Sequence, residues 1–217
     1  MPALDDRSVI EPGTRPVGGR ASAWWIVLVA PIAGAALGVV ARFWMRLISD
    51  DPEFSWGGTI FIVLAFTVAG AGHGVAWAAR RARVQRRWST AARVLAAVLT
   101  VPIFAGAGAM MLPTVFGATV ASARTDWPRA VRVAFAVLAI PVPIIIGADL
   151  VGKGLTVRVL LGVVLMVATY AVIVRSLNAV AAPIDDGWRM RRPVKILVLV
   201  STALLVLFAA GTSVGLG

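Results

Sequence analysis

The chain of 217 residues is too apolar for a soluble globular domain, since 59% of its residues are hydrophobic and only 14% are charged. A soluble domain carries about 25% charged residues, so this chain cannot coat a water-exposed surface. The net charge of +11 does not indicate nucleic-acid binding, because the basic residues lie between apolar runs and form no basic domain. Arginines that flank membrane segments are topology signals and contacts for anionic headgroups. We predict an integral protein of the cell membrane whose partners are membrane lipids.

The chain has no cysteine and one histidine, which restricts its chemistry. Disulfides, thiolate metal sites and a cysteine nucleophile are excluded, and one His without Cys does not complete a typical zinc or haem site. The sequence also has no phosphate-cradling glycine loop and no nucleophile–base–orienter set. We therefore expect no cofactor and no metal, and an enzyme is disfavoured.

Six continuously apolar runs follow an N-terminal tail. Residues 1–21 mix Pro, Gly and charges without periodicity, which predicts a disordered tail ahead of a single transmembrane domain at 22–217. The runs approach the roughly 20 residues that cross a bilayer, and they lack the alternation of barrel strands. The predicted fold is an all-α, polytopic membrane helical bundle of about six transmembrane helices. The first run covers about residues 23–41, and its helix is expected to continue to residue 46. The other runs cover about residues 59–79, 91 onward, 130–149, 158–175, and 196 to near the C-terminus.

Tryptophan positions support these limits independently of hydropathy. All eight tryptophans fall at predicted helix ends, where an amphipathic indole prefers the membrane interface. They are Trp24, Trp25, Trp44, Trp56, Trp77, Trp88, Trp127 and Trp188.

Two topologies fit residues 94–123, which carry no charge. If they cross once, the chain makes six crossings with both termini cytoplasmic, and 11 basic residues face inward against 10 outward. If they form a re-entrant hairpin, broken near Gly106-Ala107-Gly108, 17 basic residues face the cytoplasm against 4 outside, and the C-terminus lies outside. Charge asymmetry favours the hairpin, whereas a single tilted helix is the commoner structure. We expect six crossings; a hairpin would imply a pathway, because broken helices need a protein or water-filled surrounding.

Glycine and proline motifs indicate how the helices pack. Gly34 with Gly38, and Gly70 with Gly74, form two GxxxG motifs, which predict close helix packing within the bundle rather than dimerisation. A homo-oligomer or a partner in a membrane complex is left open. Val-Leu-x-x-Pro recurs before Pro31, Pro102 and Pro141, where kinks are expected; an inverted repeat would also produce such a match.

His73 is the first candidate functional residue. It lies on the same predicted helix face as Gly70 and Trp77, so we expect it to point toward the tight glycine contact. Its structural role would be a neutral imidazole bonded to a facing carbonyl or hydroxyl. The functional alternative is a proton-relay or substrate contact, since ionisable residues within a membrane are functional candidates by default.

Charged residues near the helix ends supply the other candidates. Asp149 and Lys153 are four apart and could pair on a helix, the alternative being a coupling carboxylate for cations or protons. Arg42 and Arg46, also four apart, could pair with Glu53 and the acids at positions 50 and 51, or clamp a phosphate or carboxylate. Pairing is favoured because the acids follow directly in the chain.

Three functions remain open from the sequence. The first is a small transporter-like or accessory membrane component, with sites between helices. The second is an enzyme acting on a lipid or polyprenyl phosphate through Arg42 and Arg46. The third is a structural subunit of a membrane complex.

Overall fold

The computed structural model describes residues 19–49, 54–82, 84–107, 109–152, 154 and 156–183. Of this part of the chain 89% is helical, and none of it is strand. The helices are α1 (Gly19–Ile48), α2 (Trp56–Arg81), α3 (Arg86–Ala107), α4 (Leu112–Ala123), α5 (Arg129–Leu138), α6 (Pro141–Gly152) and α7 (Val157–Ala181), with a 3₁₀ turn at Ala109–Met111.

Within the described residues, four stretches are long and apolar enough to cross a membrane: Trp24–Ile48, Trp56–Arg81, Arg129–Gly152 and Val157–Ala181. The predicted all-α bundle of membrane type is thereby confirmed. The first helix begins at Gly19, within the stretch predicted as a tail. Residues 1–18, Trp188 and the apolar run from 196 lie outside the described residues.

The glycine motifs hold α1 against α2, which run antiparallel. A Cβ atom at Gly34 would collide with the carbonyl oxygen of Phe66, and one at Gly70 would lie 2.5 Å from the carbonyl oxygen of Ala30. At Gly74 a Cβ would lie 2.6 Å from the Ala30 side chain. The two backbones can approach this closely only where side chains are absent, so the predicted packing role of both motifs is confirmed.

The α3–α4 segment reverses direction inside the bundle. Near its start, Arg93 Nη1 donates to Ala182 O (2.9 Å), and directly after its end Arg124 Nη1 donates to Ala181 O (3.2 Å). Both ends of the segment therefore lie beside the C-terminal end of α7. Its α4 arm has 12 residues, about 18 Å at 1.5 Å per residue, which is too short for a hydrocarbon core of roughly 30 Å. This reversal is the arrangement that the re-entrant alternative expects for residues 94–123, and the number of membrane crossings stays a prediction.

A second break divides the predicted fourth run into α5 and α6. The first of these helices ends at Leu138 and the second begins at Pro141. Pro141 has no backbone donor, and its ring would clash with the carbonyl of residue 137 in a continuous helix. In contrast, Pro31 and Pro102 lie inside unbroken helices, so the shared proline pattern does not give one local structure.

The buried core lies between α1, α2, α3, α4 and α7. It consists of apolar side chains, including Ala41, Trp44, Ile62, Phe66, Ile103, Phe104, Val115, Met166 and Ile173. Most other large apolar side chains are exposed, as expected for lipid-facing positions. Trp44 and Trp127 lie at helix ends as predicted, but they are only 7% and 5% exposed and pack against other side chains of the protein.

Candidate functional site

Three arginines converge on the C-terminal end of α7. Arg80 Nη1 donates to Ala179 O (2.7 Å), and Arg93 and Arg124 donate to the carbonyls of Ala182 and Ala181. The last carbonyls of a helix lack partners within it and carry its partial negative charge, so cations are favoured there. Arg80, Arg93 and Arg124, which we call the arginine cluster, thus attach α2 and both ends of the α3–α4 hairpin to α7.

Arg124 is the most enclosed member of the cluster. Its side chain is 6% exposed, and Nη2 donates to Asp126 Oδ2 at 2.7 Å. The guanidinium carbon lies 5.3 Å from the centre of the Trp127 ring. Its Nε is buried and has no hydrogen-bond partner among the residues that the structure describes. This residue organises the turn between α4 and α5 as well as the end of α7.

Polar side chains from four helices lie just beneath the arginine cluster. His73 precedes Arg80 by seven residues and Thr100 follows Arg93 by seven, so both lie about 10 Å deeper along their helices. Thr119 lies about 7 Å before Arg124 on α4, and Asn178 is one residue before the carbonyl that Arg80 binds. We call His73, Thr100, Thr119 and Asn178 the polar layer. The apolar core lies below it.

His73 is held by α3 and not by the glycine contact. His73 Nε2 lies 2.9 Å from Thr100 Oγ1, and Thr100 Oγ1 donates to Ala96 O at 2.7 Å. Because a hydroxyl has one proton and Ala96 O receives it, Nε2 must be the protonated nitrogen and donate to Thr100. The expected direction toward Gly70 is wrong, since Gly70 packs on α1. The expected bond to a facing hydroxyl is confirmed.

Hydroxyl groups on α4 complete the layer. Thr119 is 4% exposed and its Oγ1 has no hydrogen-bond partner among the described residues. One turn closer to the surface, Ser122 Oγ lies 2.6 Å from Ala118 O and 3.0 Å from Asn178 Oδ1. A buried hydroxyl without a partner costs about 1–3 kcal/mol. The stability of the fold therefore does not explain why residue 119 is a threonine.

Replacing His73 by Leu should change the free energy of unfolding by less than about 1 kcal/mol. The substitution strands no buried partner, because Thr100 keeps its bond to Ala96 O, and the loss is that of one ordinary hydrogen bond. Thermal unfolding in detergent, followed by circular dichroism, measures the effect, with His73→Gln as the variant that keeps a donor. A loss of several kcal/mol in both variants would make His73 a structural residue.

At the opposite end, Arg42 and Arg46 act on different partners. Arg42 Nε donates to Thr59 Oγ1 (3.1 Å) in the first turn of α2, and the Arg46 guanidinium lies 4.6 Å from the centre of the Phe54 ring. Both therefore contact the start of α2 or the residues before it. Glu53 and the acids at positions 50 and 51 lie outside the described residues, so the predicted ion pairs stay a prediction.

Arg158 joins the same end of the bundle. Its Nη2 donates to the carbonyls of Arg46 (2.8 Å) and Ser49 (3.3 Å), which caps the end of α1. A shallow pocket of about 240 Å³ adjoins it, lined by Leu47, Ile48, Ser49, Gly154, Thr156, Arg158 and Val159. Among the described lining residues no carboxylate faces this pocket, so a paired acid and base is not assembled there.

Asp149 lies in the last turns of α6 with an exposed side chain. Its predicted partner Lys153 falls outside the described residues, so that pair stays a prediction. The end of α6 lies near the start of α7, whereas His73 lies near the arginine cluster. The structure therefore does not bring His73 and Asp149 together, and within its described part no group of three metal-ligating side chains occurs.

No protein-family model, curated protein or solved structure is detectably similar to this chain. The arginine cluster and the polar layer are therefore the features from which a function can be inferred. Of these residues, sequence reasoning selected only His73 as a candidate. Two of the arginines could have been found from the sequence, since Arg93 and Arg124 lie at the two ends of the longest uncharged stretch of the chain.

Proposed function

We propose that this chain is a small transporter-like component of the cell membrane, with the α3–α4 hairpin forming one wall of the solute path. The observation that carries the proposal is the reversal of this hairpin, whose two ends bind the same end of α7. Interrupted helices at membrane depth are tolerated where they line a cavity or are enclosed by protein, and they form binding sites in many transporters. The break between α5 and α6 is a second interruption beside it, since a Cβ at Gly117 of α4 would lie 2.5 Å from Phe135 O of α5.

The polar layer is the proposed solute site. It offers an imidazole, hydroxyls and an amide near the arginine end, above an apolar core that separates these groups from the opposite side. Such an arrangement suits a solute that enters from the arginine end and stays bound at the polar layer until the apolar core rearranges. An accessory role in a membrane complex would need no such layer.

The alternative function, an enzyme acting on a lipid or polyprenyl phosphate, is less well supported. Arg42 and Arg46 contact Thr59 and Phe54 separately, whereas a phosphate clamp needs guanidinium groups that converge. Membrane lipids remain partners at both ends in this proposal.

We further propose a multi-pass topology with the arginine end in the cytoplasm. The positive-inside rule supports this orientation, because described arginines concentrate there. At the cluster end lie Arg80, Arg81, Arg86, Arg87, Arg93, Arg124, Arg129 and Arg132, and at the other end Arg42, Arg46 and Arg158. The N-terminus of α1 is then cytoplasmic.

Single cysteines at positions 85 and 125 should show the same accessibility to a membrane-impermeant thiol reagent. Gln85 and Thr125 are exposed and lie before and after the hairpin, so in intact cells both Gln85→Cys and Thr125→Cys are protected. Gly57→Cys, at the start of α2, serves as the control and should be labelled. The chain has no cysteine, so labelling reports these positions alone. Labelling of one hairpin end and protection of the other would exclude re-entry.

Transport is tested with purified protein in liposomes. Swelling in isosmotic potassium salts with valinomycin reports anion entry, and swelling in glycerol or urea reports neutral solutes. We expect swelling above that of protein-free liposomes, reduced in His73→Leu and retained in Gly147→Ala, because a Cβ at Gly147 meets nothing within 4 Å. No response to any of these solutes would refute the proposal.

A further inference from the structure

We infer that the phosphodiester headgroup of a membrane phospholipid binds between the end of α1 and the start of α7. The site is the pocket of about 240 Å³ that adjoins Arg158, which we call the α1–α7 pocket. Lipid binding there goes beyond the proposed transport and does not depend on it. The inference rests on the proposed topology only in assigning this lipid to the outer leaflet.

The α1–α7 pocket lies at one end of two stretches that are long and apolar enough to cross a membrane. One stretch ends at Ile48 and the other begins at Val157, and the pocket is formed by residues at and beside these two ends. About 6 Å deeper along α7 than Arg158, a Cβ at Gly162 would lie 2.7 Å from Ile48 Cγ1. The two helices are in contact there, so the pocket is open at the depth where phospholipid headgroups lie.

Arg158 supplies the charge of the pocket, and part of its guanidinium group is already fixed. Nη2 donates to Arg46 O (2.8 Å) and to Ser49 O (3.3 Å). Nε and Nη1 carry three further N–H groups, for which the described residues supply no acceptor. Because the side chain is exposed, these donors are accessible to a ligand. A phosphate can accept two parallel, charge-assisted bonds from an arginine held in this way.

The first turn of α7 adds donors beside Arg158. Thr156 Oγ1 accepts from Val159 N (3.3 Å), which leaves the hydroxyl proton of Thr156 for another acceptor. The backbone N–H groups of Val157 and Arg158 have no partner within the helix. The N-terminus of a helix favours anions because it carries about half a positive charge. Since no described residue that lines the pocket is acidic, these groups together suit an anion.

An exposed apolar stripe on α7 favours a lipid over a free anion. Val157, Leu161 and Val164 are spaced by four and three residues, so they share one face of the helix, and all three are exposed. Val157 lies between Thr156 and Arg158, which both line the pocket, so the stripe begins beside the headgroup position. A phospholipid held by its phosphate would lay an acyl chain on this stripe, whereas inorganic phosphate would leave it uncovered.

The size of the pocket agrees with this occupant. Its volume of about 240 Å³ is below the roughly 300–1,000 Å³ of pockets that enclose a drug-sized ligand. A headgroup whose chains stay outside needs no larger space.

Thermal unfolding of the purified full chain in neutral detergent tests the inference. The probe is dioctanoyl phosphatidylglycerol, titrated against dioctanoylglycerol, which has the same chains and no phosphate; each midpoint shift gives an apparent Kd. We expect saturable stabilisation by the phospholipid alone. Arg158→Gln should weaken the apparent affinity about tenfold, the loss of charge-assisted bonds. In the control Arg42→Gln the same charge is removed at the same end, and the affinity should not change, because Arg42 binds Thr59 and does not line the pocket.

Thr156→Asp is the second variant, and it keeps the test valid should Arg158→Gln fold poorly. Asp caps a helix at least as well as Thr, so the fold is retained. Its carboxylate would repel the phosphate at close range, and the apparent affinity should fall about tenfold or more. Equal stabilisation by dioctanoylglycerol, or equal affinities in all variants, would overturn the inference.

Inorganic phosphate distinguishes the source of the bound group. Sodium phosphate is titrated against sodium gluconate at constant ionic strength, and we expect no saturable shift because it covers none of the apolar stripe. Saturable stabilisation by inorganic phosphate as strong as that by the phospholipid, with the same dependence on Arg158 and Thr156, would replace the lipid with a free anion and overturn the inference.

Lipid binding and transport can fail independently, because binding is measured without a membrane gradient. Saturable binding of the phospholipid without liposome swelling would keep the site and refute the transport proposal. Liposome swelling without saturable phospholipid binding would keep transport and refute the lipid site.

Discussion

Gly70→Ala should destabilise the protein by about 3 kcal/mol, at the upper end of the usual cost of overpacking. The added Cβ would lie 2.5 Å from Ala30 O and 3.1 Å from Gly34 Cα. Both neighbours are backbone atoms, so no flexible side chain can move aside and the two helices must separate. The measurement is the midpoint of thermal unfolding in detergent, followed by tryptophan fluorescence.

Gly147→Ala is the matched control for this substitution. It also places a methyl group on a helix, but nothing lies within 4 Å of the new atom. Ala is preferred over Gly in a helix by about 1 kcal/mol, so the control should raise the midpoint or leave it unchanged. The double variant Gly34→Ala, Gly70→Ala should cost less than the sum of its parts, because the first methyl already separates the helices. Equal effects of Gly70→Ala and Gly147→Ala would contradict the observed α1–α2 contact.

Much of the fold could be predicted from local sequence, because each long helix is a continuous apolar run. The two interruptions were also signalled, one by the glycines at 106 and 108 and the other by Pro141. The direction taken after the first interruption could not be read from residues 94–123 themselves. It depends on what holds the two ends, and both holding contacts are to α7, at residues 181 and 182.

The candidate site was harder to predict for a related reason. Helix α2, which carries His73, packs against α1 on one side and α3 on the other. Only the contact with α1 was indicated in the sequence by a glycine motif. Thr100, which binds the imidazole, is 27 residues away on α3, and its proline-containing run gave no sign of that role. Arg93 and Arg124 were interpreted as topology signals, so their convergence on one helix end could not be inferred from charge alone.

Arg124→Ala should cost about 3 kcal/mol, similar to breaking a buried ion pair from one side. The substitution removes the bonds to Ala181 O and to Asp126 together with the contact on the Trp127 ring. Asp126, whose side chain is 23% exposed, would then keep a charge without its cation. We expect a lower unfolding midpoint and faster amide hydrogen exchange in the last turn of α7.

Two further variants separate the ion pair from a general effect of charge. Arg129→Ala removes one positive charge from an exposed position at the same end of the bundle, and it should change stability by less than about 0.5 kcal/mol. In Arg124→Ala, Asp126→Asn the uncompensated carboxylate is absent, so roughly half of the loss should be recovered, and the remainder measures the contacts with α7 and Trp127. An unchanged midpoint in Arg124→Ala, or equal losses in Arg124→Ala and Arg129→Ala, would show that the hairpin is held to α7 by apolar packing and that the arginine cluster serves only to orient the chain in the membrane.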